Sequence, residues 1–203
     1  MIKATDENIR ILIRQRIIKN PKADLNDLDV SEVTDMNDLF RDKNFKGDIS
    51  LWDTSSVIDM SGMFYRCPFN GDISSWDTSK VVDMSYMFLC SLFDGDISNW
   101  DTSSVKYMRS MFLHSKFNGD INKWNVSNVI EMEFMFDCKH FNKSINNWVI
   151  NDECHYDHMM ANSFYDKYLP KKINPKIAFD NYNYTKWYDK LFKQKLEKTL
   201  SSL

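Results

Sequence analysis

The sequence predicts an α/β repeat solenoid of six 24-residue units with a helical cap at each end. Three observations carry this. Trp52, Trp76, Trp100, Trp124 and Trp148 are spaced by 24 residues without a slip, and Leu28 holds the tryptophan position of an earlier register. A Gly-Asp-Ile triplet recurs in the same phase at Gly47-Asp48-Ile49, Gly71-Asp72-Ile73, Gly95-Asp96-Ile97 and Gly119-Asp120-Ile121. A Val, Met, Met, Phe set closes the units, as in Val81, Met84, Met87 and Phe88. Self-similarity at a fixed period of this length is the mark of a stacked array, because one such unit cannot bury its apolar face alone.

Within a unit, the Asp-Ile-Ser piece is short and bounded by turn residues, which suits a brief parallel strand. The i, i+3, i+6, i+7 spacing of Val, Met, Met and Phe fits one face of a short helix or 3₁₀ turn. The preceding Asp-Thr-Ser offers N-cap oxygens, with Ser31, Ser55, Ser79, Ser103 and Ser127 the expected caps. Such a helix is too short to persist alone in water and must lean on neighbouring copies. Stacking predicts a core of like residues in columns. Trp52, Trp76, Trp100, Trp124 and Trp148 form one column, and Met60, Met84, Met108 and Met132 form another. Of the 12 methionines, 11 lie between Met36 and Met160, so packing explains them without any chemistry.

The domain plan follows. Residues 1–20 read as an N-terminal helical cap, with Ile9, Leu12, Ile13 and Ile17 as its apolar stripe and Pro21 as its stop. Residues 21–164 hold the repeats. Residues 165–203 read as a loop with Pro170 and Pro175, then a capping helix carrying Trp187, Leu191, Leu196 and Leu200. A formal charge of −3 gives no overall pull toward nucleic acid or membrane. The chain shows no secretory leader and no apolar run long enough to span a bilayer, and its thiols suit a reducing compartment, so an intracellular location is expected.

The unit from Phe69 to Phe88, Phe-Asn-Gly-Asp-Ile-Ser-Ser-Trp-Asp-Thr-Ser-Lys-Val-Val-Asp-Met-Ser-Tyr-Met-Phe, closely resembles the BspA-like leucine-rich-repeat family. More narrowly it looks like the roughly 25-residue subtype named after Mycoplasma lipoproteins. The resemblance spans about residues 21–164. It implies a leucine-rich-repeat-like right-handed solenoid, a binding role and no catalytic residues. The Asn-, Lys- and Ile-rich flavour and the lack of an export signal look more like the intracellular members found in giant DNA viruses.

Four constellations were weighed for chemistry. The acidic column Asp48, Asp72, Asp96 and Asp120 might be expected to hold calcium or a basic partner; the plainer reading is that each carboxylate accepts backbone N–H groups in its own turn. Cys90, His114 and Cys138 share one repeat position, but the cysteines sit two rungs apart, too far for a disulfide and awkward for one zinc ion. His155 and His158 would share a helical face near Cys154, Glu153 and Asp157, a weak metal signal without a second half. The tail interleaves Lys186 and Lys190 with Tyr182, Tyr184, Trp187 and Tyr188, which suits either a cap or contact with nucleic acid.

The expected function is therefore a non-catalytic interaction or scaffolding module, with no cofactor and no metal. Its partner is an unidentified protein, with no membrane contact. The expected binding face is the strand-lined one, bearing Asp48, Ser50, Asp72, Ser74, Asp96, Ser98, Asp120 and Asn122. The alternatives are a self-assembling structural protein, such as a virion component or a homo-oligomer, and nucleic-acid contact through the tail. No phosphate loop, nucleophile elbow or recurring histidine accompanies the repeated Ser and Asp residues.

Overall fold

The computed structural model describes residues 1–136, 140–156 and 158–160, all within the compact unit Met1–Tyr168. The expectations for Cys138, Asp157 and the segment 165–203 fall outside these residues. The chain opens with strand β1 (Ile2–Lys3), helix α1 (Ile9–Lys19) and strand β2 (Leu28–Asp29). β1 pairs in parallel with β2, placing Ile2 opposite Leu28. In α1 the stripe Ile9, Ile13 and Ile17 is buried at i, i+4, i+8 spacing, with Leu12 half-buried beside it. Arg16 and Lys19 occupy its last turn, where cations suit the helix dipole, and Pro21 follows the C-cap Asn20.

After β2 the copies stack in register. Parallel bridges join Asp35 to Asp59, Asp59 to Asp83, Asp83 to Tyr107, Tyr107 to Glu131 and Glu131 to His155. This ladder lies just before the Met-x-x-Met-Phe stretch. The sequence had placed the strand at Asp-Ile-Ser, where the structure has a single bridge, Asp24 to Asp48. The expected strand column is therefore corrected to the Asp35–His155 positions.

Of the short helix or 3₁₀ turn expected in each unit, no continuous helix forms in the described repeats. The N–H groups of Met60, Gly62, Phe64 and Arg66 donate to the next copy, at Asp83 O (3.0 Å), Ser85 O (2.8 Å), Met87 O (2.9 Å) and Leu89 O (2.9 Å). The N–H groups between them, of Met63, Tyr65 and Cys67, turn back onto Met60, Gly62 and Phe64. The result is a run of linked turns. Gly62 and Arg66 have φ of +63° and +51°, which an α-helix cannot contain. The same left-handed backbone recurs at Asp38, Tyr86, Ser110, Phe134 and His158, and at Asp42, Cys90 and His114. Each such residue costs about 1–2 kcal/mol when it is not glycine. A neighbouring copy that presents carbonyls in register offsets that cost and replaces a helix too short to stand alone.

Turns within the copies are built from Asp-x-Ser. Asp53, Asp77 and Asp101 accept from the N–H of Ser55, Ser79 and Ser103, at 3.1, 2.9 and 2.9 Å. Asn125 does the same for Ser127 at 3.1 Å. The aspartate is thus the capping group and the serine its donor, reversing the expected N-cap. The buried threonines Thr54, Thr78 and Thr102 donate from Oγ1 to the following copy, at Asp77 O, Asp101 O and Asn125 O, each 2.9 Å.

The core is a set of stacked columns. Trp76 and Trp100 lie 6.4 Å apart at 1°, and Trp100 and Trp124 lie 6.4 Å apart at 4°. Phe64 stacks on Phe88 at 5.6 Å, and Phe69 on Phe93 at 6.3 Å. Met60, Met84, Met108 and Met132 are fully buried. Each indole N–H donates to a carbonyl of the preceding copy: Trp76 to Ile49 O, Trp100 to Ile73 O, Trp124 to Ile97 O and Trp148 to Ile121 O. The Phe69 ring lies over Gly71, where an added Cβ would sit 2.8 Å from the ring, so the triplet's glycine is fixed by close approach.

The N-terminal edge of the ladder is closed by side chains. In later copies the strand N–H groups reach back to the previous copy, as Ile58 does to Thr34 O at 2.8 Å. The first copy has none behind it. The Asp6 carboxylate accepts from Thr34 N (2.8 Å), Asp35 N (3.0 Å) and Thr34 Oγ1 (2.7 Å). Arg10, from α1, donates to Asn37 O at 2.7 Å. An open strand edge is a template for unwanted pairing, and these two residues occupy it.

Candidate functional site

The acidic column of the sequence reading is turn chemistry at the level of hydrogen bonds. Asp48, Asp72, Asp96 and Asp120 each accept the N–H two residues ahead, from Ser50, Ser74, Ser98 and Asn122, at 2.9–3.0 Å. Those bonds hold the carboxyls of Asp48, Asp72 and Asp96 below the usual range. The column is exposed, with Ser50, Ser74, Ser98 and Asn122 half-buried beside it.

The other constellations are not assembled as expected. His155 lies in the ladder opposite Glu131, and its N–H donates to Ile130 O, whereas His158 stacks on Phe134 at 5.0 Å. His155 is thus a ladder residue, and the shared helical face is not formed. Cys90 and His114 are exposed left-handed residues on successive copies. Among the described residues, no group of three His, Cys, Asp or Glu side chains gathers as a metal site. Also among these residues, no helix is long and apolar enough to cross a membrane.

What the structure brings together is the ladder face. Three positions flank the recurring Met and Phe residues there, and the copies differ at each of them, as they do at exposed positions elsewhere such as Leu51, Ser75, Asn99 and Lys123. One reads Asp35, Asp59, Asp83, Tyr107, Glu131, His155; the second Asn37, Ser61, Ser85, Arg109, Glu133; the third Asp38, Gly62, Tyr86, Ser110, Phe134, His158. Methionine and phenylalanine point inward, whereas Asp59, Asp83, Tyr107 and Arg109 are half-buried and Tyr86 is exposed; Gly62, Ser85 and Ser110 are buried. A cavity of about 640 Å³ opens among them, lined by residues from Asn37 to Glu131, with Arg41, Tyr65, Asp83, Tyr86, Tyr107 and Arg109 contributing. Gly62 lines it with a left-handed backbone, and a Cβ there would lie 2.1 Å from Asp38 Oδ1, so close approach of Asp38 fixes the glycine.

Charges on the ladder face are mostly paired. Arg109 bonds Glu131 at 2.8 Å and also Glu133. Arg41 bonds Asp38 at 2.9 Å, and its guanidinium lies 4.5 Å over the Tyr65 ring. Arg66 approaches the same ring at 5.1 Å. Asp35 is met by Arg10 at 3.2 Å. Asp59 and Asp83 are the exceptions. They are half-buried, stand in direct register, and have no cation within ion-pair distance among the described residues. Asp59 is held by Ser61 N (2.8 Å) and Ser61 Oγ (2.6 Å), and Asp83 by Ser85 N (2.7 Å). Burial pushes the Asp83 carboxyl above its ordinary value, aided by the charges of Asp59 and Glu131 and opposed by the Ser85 bonds.

Sequence reasoning missed Asp59, Asp83, Tyr86, Tyr107 and Arg109. The signal was present as copy-to-copy variation at positions beside constant core residues. It went unread because the Met-Phe stretch was assigned to a helix.

A family model described as "Mycoplasma protein of unknown function, DUF285" matches residues 13–112 and 69–171. No curated protein and no solved structure matches the chain significantly.

Proposed function

The chain belongs to the Mycoplasma-type repeat family DUF285, and we propose that it is a non-catalytic interaction module binding a protein partner through its ladder face. The observation that carries this is the separation of roles along each copy. Constant residues are consumed by the core columns, the Asx turns and the close-packed glycine. Varied residues from several copies, among them Asp83, Tyr86, Tyr107 and Arg109, line a groove on the ladder face. Stacked repeats of this kind bind through extended surfaces.

The same reading takes the array to be a right-handed leucine-rich-repeat-like solenoid working inside a cell. Its Asn-, Lys- and Ile-rich composition is similar to that of the giant-virus members. The binding face moves from the Asp48 column to the Asp83 face, because the column's carboxylates are engaged by their own turns.

The test is affinity purification with the full chain from the source cell. Wild type is compared with a ladder-face variant, Tyr86→Asn with Asp83→Asn, and a column variant, Asp72→Asn with Asp96→Asn. Partners kept by the column variant and lost by the ladder-face variant support the assignment. Equal recovery by all three overturns it.

A further inference from the structure

We propose that the ladder-face groove takes the cationic side chains of an extended basic peptide, with Asp83, backed by Asp59 one rung away, as the counter-charge and Tyr86 and Tyr107 as aromatic neighbours. This rests on the ladder-face reading above and specifies its occupant.

The first argument is charge. Like charges directly opposite each other on adjacent strands destabilise a ladder. Asp59 and Asp83 are such a pair, half-buried and one rung apart, about 4.8 Å at strand spacing. Every other carboxylate named in the ladder-face charge network has an arginine: Asp35 has Arg10, Asp38 has Arg41, and Glu131 and Glu133 share Arg109. An ammonium or guanidinium entering beside Asp83 ends the repulsion and compensates the carboxylate's lost hydration. An anionic or neutral occupant does neither.

The second argument is the aromatic lining. A cation within about 6 Å of a tyrosine ring is attracted by the ring face. The groove already shows this pairing inside the chain, where Arg41 and Arg66 both lie against Tyr65. Tyr86 and Tyr107 line the same cavity and have no such cation of their own among the described residues.

The third argument is length. The lining runs from the copy containing Asn37 to the copy containing Glu131. Four rung steps cover about 19 Å, longer than any one side chain and close to about six residues of extended peptide. A single metal ion would leave most of it empty.

The experiment is calorimetric titration of the full chain with acetyl-hexalysine amide, and with acetyl-hexaglutamate amide as the charge control. Hexalysine is expected to bind and hexaglutamate not. Asp83→Asn, which is isosteric and keeps an acceptor for Ser85 N–H, should weaken hexalysine about tenfold, and Asp59→Asn, one rung outside the lining, by less. Tyr86→Asn, chosen because asparagine tolerates the left-handed backbone there, should weaken it about threefold. The column variant Asp72→Asn with Asp96→Asn should change it by less than about twofold. Near-ultraviolet circular dichroism of each variant checks the fold.

Equal hexalysine binding by wild type and Asp83→Asn overturns the proposal, as does loss confined to the column variant. If hexalysine does not bind while the ladder-face variant still loses its cellular partners, the cationic occupant is wrong and the face reading stands. If both fail, both fall.

Discussion

Trp100→Ala tests whether the tryptophan column holds the copies together. Trp100 is 4% exposed. It stacks on Trp76 and Trp124 and lies 6.3 Å from Phe88. Its N–H donates to Ile73 O of the preceding copy at 3.0 Å. Truncating a buried Trp to Ala costs about 3–5 kcal/mol. The Ile73 carbonyl is left without that donor in a buried setting, adding about 1 kcal/mol. The expected loss is therefore about 4–6 kcal/mol, a large share of a typical domain's stability. Trp100→Phe keeps a ring in the column and removes the N–H, so about 1–2 kcal/mol is expected. The assay is urea unfolding followed by far-ultraviolet circular dichroism. The slope m must be compared as well as the midpoint, because a stacked array cut in the middle can lose two-state behaviour and expose less surface in its main transition. A loss below about 1 kcal/mol for Trp100→Ala would refute the reasoning. So would equal losses for Ala and Phe, since the ring and the N–H would then not be separate contributors.

Asp6→Ala removes three hydrogen bonds that occupy the ladder's first edge, and should cost about 1–2 kcal/mol in thermal unfolding and raise self-association in light scattering. Acid should destabilise the chain. The carboxyls of Asp29, Asp48, Asp72, Asp77 and Asp96 sit below their ordinary 3.8 because serine groups two residues ahead bond them. A lowered carboxyl stabilises above 3.8 and loses that contribution as pH falls through its folded value, so Tm should hold from pH 7 to 5 and drop below about 4. Asp83 runs the opposite way: its raised carboxyl penalises the fold above its folded value, so Asp83→Asn should match or exceed wild-type Tm at pH 7 and lose any advantage below 3.8. Thiol labelling at pH 8, mapped by mass spectrometry, should modify exposed Cys90 and spare Cys67 and Cys154 until the chain unfolds. Burial raises both protected thiols, Cys154 to about 12 with help from the Glu131 charge.

The period and the phase were legible because they are one-dimensional facts. Once the tryptophans recur every 24 residues, each column follows by addition, and the stacking distances between consecutive rings are its physical expression. The local conformation was not legible. A Val-Met-Met-Phe pattern at i, i+3, i+6, i+7 is the same string whether the backbone bonds to itself as a helix or to its neighbour as linked turns. The deciding quantity is the left-handed φ at positions such as Tyr86 and Phe134, where residue type argues against it. Only the carbonyls of the next copy, 23 residues ahead in sequence, make that backbone favourable.

That misassignment explains why the sequence reading placed the binding face on the Asp48 column rather than on the ladder face. Regularity drew the reading to Asp48, Asp72, Asp96 and Asp120, yet in a repeat protein regularity is what the fold itself consumes. Each of those carboxylates has a serine or asparagine N–H as its partner, and each copy must solve the same turn. The Asp35, Asp59, Asp83 series also begins as a regular column with Asx bonds, but it breaks to Tyr107, Glu131 and His155. Turn columns also break, at Asn125 and Ser144, but there the substitute keeps the turn bond, whereas Tyr107 does not carry a carboxylate. Tyr107, Glu131 and the carboxylate of Asp83, which has no arginine partner among the described residues, line one groove, and this coincidence, rather than any single residue, supports the proposed recognition surface.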